Sequence, residues 1–282
     1  MKKVLILIIG LSMWLYSEVV RIMPLGDSIT YENHYNDTIK PRPIGVRSAY
    51  RNYLWYKLSD IGFEMDFVGS QKAGQDIHPP FDVDNEGHPA WTSYELAEKS
   101  YSWLEGGNPE IVLLHAGSND WDDSVSGIED ILNDIDQFEK SSGHTVKVFV
   151  ALILDRVRHE EWIVRFNKNL RSLVNRRIEN GDDLVLVDMY QGAGIDYHND
   201  MSDNTHPNNV GYEKMANVWF SAITGLKAPV KFYTDVEGIE VDSLYAYPTT
   251  IVDESYIIDS DVDELERVVT FTTTVPDHGI IF

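Results

Sequence analysis

The chain has 282 residues, of which 43% are hydrophobic, and this is enough for one large domain or for one medium domain with a smaller appendage. It contains no cysteine, which excludes a disulfide framework, thiolate zinc sites and cysteine nucleophiles. The formal net charge of -23 predicts repulsion of nucleic acids and anionic lipids and favours a neutral substrate, although solubility in a saline or extracellular setting explains the acidity equally well.

The first residues have the pattern of a secretory signal peptide. The letters MKK are followed by an almost uninterrupted apolar run, Val4 to Tyr16, and then by Ser17 and Glu18. The run is short for a membrane span of roughly 20 residues, so a membrane anchor is the less favoured interpretation. We therefore expect residues 1–17 to be a signal peptide, and the protein to be secreted to the periplasm or the extracellular space without a membrane anchor.

Apolar strands then alternate with amphipathic helices as far as Ile223. The predicted strands are 18–23, 65–70, 110–118, 146–154 and 183–189, and the predicted helices are 47–58, 93–104, 128–138, 162–178 and 210–223. This alternation indicates an α/β fold with a parallel sheet and helices on both faces. Ligands of such sheets bind beyond the carboxyl ends of the strands. The long loops 69–91 and 189–209 are therefore candidates for function.

The sequence becomes β-rich after about Lys227, so we predict a main domain of residues 18–225 and an all-β segment of residues 226–282. This segment is short for an immunoglobulin-like sandwich of roughly 100 residues. It is thus a partial module, a truncated domain or a set of strands packed on the main domain. An acidic run, Asp259 to Glu264, hints at calcium, but it lacks the glycine and glutamate of an EF-hand loop, and a solvated turn is favoured.

Three groups of polar residues lie where predicted strands end. "GDS" contains Ser28, "GSND" contains Asn119, and "DNTHP" contains Asp203 and His206. A serine hydroxyl needs a base within hydrogen-bond reach, and the base needs a group that fixes its tautomer. Asp203 and His206 are three residues apart, so one turn can direct the carboxylate to one ring nitrogen and leave the other facing Ser28. Alone, each residue has a simpler structural role as a helix cap, a turn residue or a loop hydrogen-bond partner, but their joint placement favours chemistry.

Attack of a serine on an ester produces an oxyanion, and each preorganised donor to that oxygen contributes roughly two to three orders of magnitude in rate. The side-chain amide of Asn119 lies at the end of an apolar strand, and the backbone N–H of Ser28 can point to the same place. These two groups are the candidate donors from the residues alone.

Together the three groups resemble the motifs of the SGNH (GDSL-type) hydrolases, in the order of that family and over roughly residues 18–224. The resemblance implies a flavodoxin-like three-layer α/β/α fold and a catalytic triad of Ser28, Asp203 and His206. It implies no metal or organic cofactor. It also implies an oxyanion hole made by the N–H of Ser28, an N–H from a further sequence block and the side chain of Asn119.

The segments between these groups are similar to the acetylxylan-esterase branch of the carbohydrate esterases, in "YRNYLWYKLSDIGFEMDFVGSQ" and "NEGHPAWTS". In that branch the second block usually reads "EGHPGWT", so its oxyanion-hole glycine falls on Ala90. Alanine keeps the N–H, but a positive φ costs it energy that glycine avoids, and Gly87 is the nearest alternative donor. His88, Trp91 and Trp121 are candidates for a sugar-binding cleft, with buried structural packing as the alternative for the tryptophans.

The resemblance, together with the expected signal peptide, thus implies a secreted serine esterase that removes acetyl groups from polysaccharides or oligosaccharides such as acetylated xylan, with an acylated carbohydrate as its partner. One alternative is a lipase or aryl esterase of the same superfamily. Another is a carbohydrate-binding protein in which Ala90 has inactivated the oxyanion hole.

Overall fold

A computed structural model of the protein describes residues 19–228, 230–232 and 244–246. The strands are β1 (Val20–Gly26), β2 (Met65–Phe67), β3 (Gln71–Lys72), β4 (Asp84–Gly87), β5 (Ile111–His115), β6 (Lys147–Ala151), β7 (Leu184–Val187), β8 (Val230–Phe232) and β9 (Leu244–Ala246). The helices are α1 (Ser28–Tyr31), α2 (Asn36–Ile39), α3 (Arg51–Asp60), α4 (Ser93–Gly107), α5 (Ser126–Ser142), α6 (Glu161–Glu179), α7 (Met189–Gly192) and α8 (Asn209–Thr224), with a 3-10 helix at Ile44–Val46. The predicted signal peptide lies outside the described residues.

The main sheet has the order β3-β4-β1-β5-β6-β7, with β2 also paired to β1. β2 and β4 share one side of β1, because residues 20–22 pair with 65–67 and residues 25–26 pair with 86–87. All of these pairs are parallel except β3–β4. Without β3 and β4 the order is β2-β1-β5-β6-β7, which is the 2-1-3-4-5 order of flavodoxin-like folds. The predicted fold is confirmed.

The two faces of the sheet carry separate cores because side chains alternate along each strand. Along β5, Val112 and Leu114 belong to a core shared with α4, α5 and α6. Ile111 and Leu113 belong to the other core, which is shared with α3 and α8. The result is a three-layer α/β/α arrangement.

The helices form where apolar residues recur at helical spacing and end at suitable caps. In α5, Ile128, Ile131, Ile135 and Phe138 are buried on one face, and Gly143 ends the helix with a φ of 75°. α4 begins with a capping box, in which the Thr92 side chain accepts from the N–H of Glu95 and the Glu95 carboxylate accepts from the N–H of Thr92.

The segment 69–91, predicted as an irregular loop, contains β3 and β4, so that prediction is wrong for these residues. The sequence of β4 is DNEG, which is polar, yet Asn85 and Glu86 are buried. Their polar groups are satisfied: Asn85 Nδ2 donates to the carbonyl of Val83 at 3.1 Å, and the Glu86 carboxylate accepts from the N–H of Ser70 at 2.6 Å. As a result β4 ends beside β1, where the N–H of His88 donates to the carbonyl of Gly26 at 2.9 Å.

Two short strands of the predicted β-rich segment are described, and β8 pairs antiparallel with β9. The acidic run from Asp259 to Glu264 lies outside the described residues. No helix in the described part of the chain combines the length and the hydropathy that crossing a bilayer requires.

We expect Thr92→Ala to lower the free energy of unfolding by about 1 kcal/mol, because the N–H of Glu95 loses its acceptor at the start of α4. Urea denaturation measures this change. The control is Ser102→Ala, an exposed residue within α4, which should stay within about 0.5 kcal/mol of wild type. Equal changes in the two variants would contradict the role of the capping box.

Candidate active site

A cleft of about 790 Å³ lies at the carboxyl ends of β1 and β5, as expected for a sheet of this type. Of the site residues predicted from the sequence, it brings together Ser28, Ala90, Asn119, Trp121, Asp203 and His206. His88 and Trp91 do not line it. Residues distant in the chain therefore meet in one cleft.

Ser28, His206 and Asp203 form a continuous chain of hydrogen bonds. The Ser28 Oγ lies 2.8 Å from Nε2 of His206. The other ring nitrogen of His206, Nδ1, lies 2.8 Å from Oδ2 and 3.0 Å from Oδ1 of Asp203. A carboxylate that accepts from Nδ1–H leaves Nε2 as the acceptor for the serine hydroxyl. This is the geometry of a nucleophile, a base and a group that orients the base.

Asp203 stays ionised because several donors surround it. Oδ1 accepts from the N–H of Thr205 at 2.8 Å and from the N–H of His206 at 2.9 Å, and Oδ2 accepts from the N–H of Tyr35 at 2.7 Å. Burial alone would raise the pKa of Asp203, but the hydrogen bond and charge of His206, with these N–H groups, hold that pKa well below its usual range. Asp203 thus caps its own turn and orients His206 at the same time.

The backbone around Ser28 explains its position. Asp27, not Ser28, is the N-cap of α1, since its Oδ1 accepts from the N–H of Ile29 at 2.9 Å. Ser28 is the first residue of the helix, and its hydroxyl is free to bond His206. Gly26 is required at the end of β1 because a Cβ there would lie 2.2 Å from the carbonyl oxygen of His115 on β5. β1 therefore ends in close contact with β5 at Gly26, and the N-cap of α1, Asp27, is the next residue.

Three N–H groups of residues that line the cleft lack a protein acceptor within the described ranges: the backbone N–H of Ser28, the backbone N–H of Ala90 and one N–H of the Asn119 amide. The other Asn119 N–H donates to the carbonyl of Trp91 at 2.9 Å, which fixes the orientation of the amide. The three residues that carry these groups share a cleft with the Ser28 hydroxyl. Together they can stabilise a negative oxygen formed next to that hydroxyl.

Ala90 has a φ of 69°, which is the positive φ considered in the sequence analysis. It is the third residue of a turn that closes where the N–H of Trp91 donates to the carbonyl of His88 at 3.2 Å, with Pro89 second, as in a type II turn. The alternative donor, Gly87, is already used, because its N–H donates to Oδ1 of Asn85 at 3.0 Å. The N–H of Ala90 is thus the one available to the cleft.

His88 and Trp91 pack beside the cleft instead of lining it, and their contact with a substrate stays a prediction. His88 is buried, with Nε2 2.6 Å from the Glu86 carboxylate and its ring stacked on Trp103 at 4.3 Å. The Trp91 ring lies 4.6 Å from the His88 ring. These rings flank Ala90 in the chain and support its turn.

Trp121 does line the cleft, and its side chain is 61% exposed. The guanidinium of Arg156 lies 3.8 Å from the centroid of its ring, which is a cation–π contact. The backbone of Trp121 has a φ of 59°, which is rare for a bulky residue and indicates local strain. The exposed ring is therefore held in a fixed position at the rim.

Several lining residues were not found from the sequence, chiefly His34, Tyr35, Arg156 and Arg158. Arg156 could have been found, because it lies two residues after the predicted strand 146–154, at the carboxyl end of the sheet. His34 and Tyr35 lie in an aperiodic stretch between α1 and α3 that carries no comparable signal.

His34 is a second imidazole beside the first. Its ring centroid lies 5.6 Å from that of His206 and 6.3 Å from that of Tyr212. Burial, with a further contribution from the positive charge of Arg42, lowers the pKa of His34 to about 4. His34 is thus neutral near pH 7 and places no charge beside His206. Within residues 19–228, no three histidine or carboxylate side chains are grouped closely enough to hold a metal ion.

The chain is similar to known proteins in both sequence and fold. The sequence model of a family described as GDSL-like Lipase/Acylhydrolase matches residues 22–219. A multidomain esterase of Ruminococcus flavefaciens is 28% identical in an alignment 239 positions long, which covers 74% of this chain and 29% of that protein. The chain therefore spans less than a third of that relative's length.

Two solved structures are similar over most of their own length. A family 3 carbohydrate esterase of Clostridium thermocellum has a TM-score of 0.62 and 28% identity, with 74% of this chain and 96% of that chain covered. An acetyl esterase variant, whose structure contains an acetate ion, has a TM-score of 0.60 and 25% identity, with 73% and 97% covered.

We expect Ala90→Gly to raise the free energy of unfolding by about 0.5 to 1 kcal/mol, because the left-handed conformation costs alanine roughly 1–2 kcal/mol and glycine loses only roughly 0.5–1 kcal/mol more chain entropy. Ala97→Gly, within α4, is the matched control and should destabilise by about 1 kcal/mol. Chemical denaturation of both variants provides the test, and destabilisation by Ala90→Gly would contradict the strained turn.

The lowered pKa of His34 predicts a pH dependence of stability. The unfolded chain binds this proton near the ordinary value of 6.5 and the folded chain only near about 4, so stability is lost as the pH falls between these values. His34→Phe should therefore lose less stability than wild type between pH 7 and pH 4, measured as unfolding free energy. His144→Gln, at an exposed site, should follow wild type. Parallel curves for wild type and His34→Phe would contradict the assignment.

Proposed function

The chain belongs to the GDSL-like lipase/acylhydrolase family and is a carboxylic ester hydrolase; from this premise we propose that it is a secreted serine esterase that removes acetyl groups from polysaccharides or oligosaccharides such as acetylated xylan. The observation that carries the mechanism is the hydrogen-bond chain from Ser28 through His206 to Asp203, with 2.8 Å at each of its two links. A general base at this distance can take the serine proton as attack begins.

In the proposed reaction, Ser28 Oγ attacks the carbonyl carbon of the acetyl ester, and Nε2 of His206 accepts the hydroxyl proton. The bond from that carbon to the sugar oxygen then breaks, His206 gives the proton to the sugar oxygen, and the acetyl group remains on Ser28. Water attacks the acetyl-serine with transfer of its proton to His206. The bond between Ser28 Oγ and the carbonyl carbon then breaks, His206 returns the proton to Ser28, and acetic acid leaves and ionises to acetate and a solvent proton. Asp203 stabilises the imidazolium in both halves of the reaction.

The oxyanion of each half-reaction is proposed to accept from the N–H groups of Ser28 and Ala90 and from the Asn119 amide. The positive φ of Ala90, at 69°, supports an active oxyanion hole over the alternative of an inactive binding protein. Alanine retains the backbone turn that glycine would form, so its N–H remains in the cleft. The alanine therefore lowers the stability of the protein, but it does not remove this N–H donor from the oxyanion hole.

The lining of the cleft supports a sugar ester with a small acyl group. None of the described lining residues is Leu, Ile, Val, Met or Phe, which are the side chains that a long acyl chain would bury against. Tyr35 and Trp121 line the cleft with 65% and 61% of their surfaces exposed, and aromatic faces of this kind suit sugar rings. The similarity to a family 3 carbohydrate esterase and to an acetyl esterase agrees with both features.

Secretion is the part of the proposal that rests on sequence alone, namely on the apolar run of residues 4–16 after two lysines. Mass spectrometry of the protein recovered outside the cytoplasm would identify its first residue.

Ser28→Ala should reduce acetate release from acetylated xylo-oligosaccharides by roughly four to six orders of magnitude, because removal of the nucleophile leaves only binding and the oxyanion hole. Acetate is measured by an enzyme-coupled assay. Ser102→Ala, which removes an exposed hydroxyl on α4, is the control and should retain wild-type activity. Activity of Ser28→Ala within tenfold of wild type would contradict the mechanism.

The same preparation should separate the carbohydrate substrate from a lipid or aryl ester. We expect kcat/KM to fall steeply from 4-nitrophenyl acetate to 4-nitrophenyl decanoate, because the cleft has no long apolar wall among its described residues. A preference for the decanoate would overturn the choice of substrate and leave the serine mechanism in place.

A further inference from the structure

The charges in the cleft differ from those of the whole chain. Aspartate and glutamate number 46 in the sequence against 23 lysines and arginines. The cleft, however, contains two arginines, Arg156 and Arg158, and one carboxylate, Asp203. Since Asp203 is paired with His206, the cleft has no uncompensated carboxylate among its described lining residues.

Arg158 stands apart from the other described arginines. Those within 4.0 Å of a carboxylate are Arg21, Arg42, Arg47, Arg165, Arg171, Arg176 and Arg177. Arg51 and Arg156 donate to backbone carbonyls instead. In the described ranges, Arg158 is the arginine whose guanidinium has neither kind of partner. An unpaired guanidinium is unexpected in a chain with twice as many acidic as basic residues.

The two cleft arginines have different roles. Arg156 is buried, its Nη2 donates to the carbonyl of Ser118 at 2.8 Å, and its guanidinium stacks on Trp121. Arg156 therefore holds the wall and the exposed tryptophan in position. Arg158 is exposed, so its guanidinium can meet a ligand.

Arg158 is also attached to the catalytic loop through its backbone. Its N–H donates to Oδ1 of Asn204 at 2.8 Å, and the N–H of Val157 donates to the carbonyl of Asn204 at 3.0 Å. Asn204 directly follows Asp203 in the chain. The Arg158 side chain thus begins close to the hydrogen-bond chain that acts on the ester.

The net charge of -23 does not prevent an anion from binding here. At physiological ionic strength the Debye length is about 8 Å, so charges elsewhere on the surface are largely screened from the cleft. The charges nearest a bound substrate are therefore those of the lining residues, and the carboxylates of Asp27, Asp155 and Glu160 also act on Arg156. The net charge of the chain alone favours a neutral substrate, but the positive charge of the two cleft arginines favours a substrate that carries a negative charge.

We propose that Arg158 binds a carboxylate on the substrate, so that the preferred substrate is an acetylated oligosaccharide that also carries a uronic acid. This inference rests on the proposed carbohydrate esterase function and specifies its substrate class. A guanidinium and a carboxylate can form two parallel hydrogen bonds, which gives selectivity as well as affinity. A uronic acid near the acetylated sugar would reach Arg158 while the ester lies at Ser28.

A cleft without free carboxylates has a second explanation, which is that negative charge near an oxyanion would raise the barrier. That explanation predicts an equal effect of Arg158 on all esters. Carboxylate binding predicts an effect only on substrates that carry a carboxylate. The experiment therefore measures the ratio of kcat/KM for a substrate with a carboxylate to kcat/KM for a matched substrate without one.

The test compares two acetylated xylo-oligosaccharides with the same backbone length and acetyl content, one of which has a glucuronic acid side group. We expect wild type to prefer the acidic compound by about fivefold to tenfold in kcat/KM, the range between an exposed ion pair and a charge-assisted hydrogen bond. Arg158→Gln should bring the ratio to near one. Arg176→Gln is the matched control, since it removes the same charge outside the cleft, and should keep the wild-type ratio.

Salt provides a second measurement that needs no variant. The wild-type ratio should fall as sodium chloride rises from about 0.02 M to about 0.5 M, because screening weakens an exposed ion pair. The inference would be overturned by a wild-type kcat/KM ratio at or below one, or by an Arg158→Gln ratio equal to that of wild type. The proposed function would still stand in either case if the enzyme releases acetate from the neutral compound. Hydrolysis of 4-nitrophenyl acetate without acetate release from either oligosaccharide would overturn both.

Discussion

The site depends on the hydrogen bonds that the Asp203 carboxylate accepts, because they join two segments that are far apart in the chain. It accepts the N–H of Tyr35, from the segment after α1, and the N–H groups of Thr205 and His206, from its own loop. The same two oxygens also meet Nδ1 of His206. A single ionised group thus orients the base and fixes one wall of the cleft, so that the loss of its charge would disturb both.

Much of this arrangement could be predicted because a parallel sheet converts strand order into spatial proximity. The apolar runs of β1 and β5 locate two strand ends, and Ser28 and Asn119 lie two and four residues beyond them. Side chains beyond adjacent parallel strands share one edge of the sheet, so their convergence follows from the secondary structure alone. Asp203 and His206 required only that their loop return to the same edge. The apolar residues at helical spacing likewise predicted that helices cover both faces of the sheet.

The rest depends on contacts that no local pattern records. β4 has a polar sequence, and it is a strand only because Asn85 and Glu86 find buried partners from other segments. His88 bonds Glu86, so its burial could not be inferred once β4 was missed. Arg158 looks like an ordinary surface arginine in the sequence. Its interest lies in its lack of a carboxylate partner among the described residues and in its attachment to the loop of Asp203, both of which are properties of the folded chain.

The central claim is that Ser28 is made nucleophilic by His206 and Asp203, and covalent labelling tests it most directly. A fluorophosphonate forms a bond from phosphorus to an activated serine oxygen as fluoride leaves, and peptide mass spectrometry then identifies the labelled residue. The account predicts label on the peptide that contains Ser28, at a rate that falls at least about a hundredfold in Asp203→Asn, where the tautomer of His206 is no longer fixed. Label on a different serine, or an unchanged rate in Asp203→Asn, would contradict it.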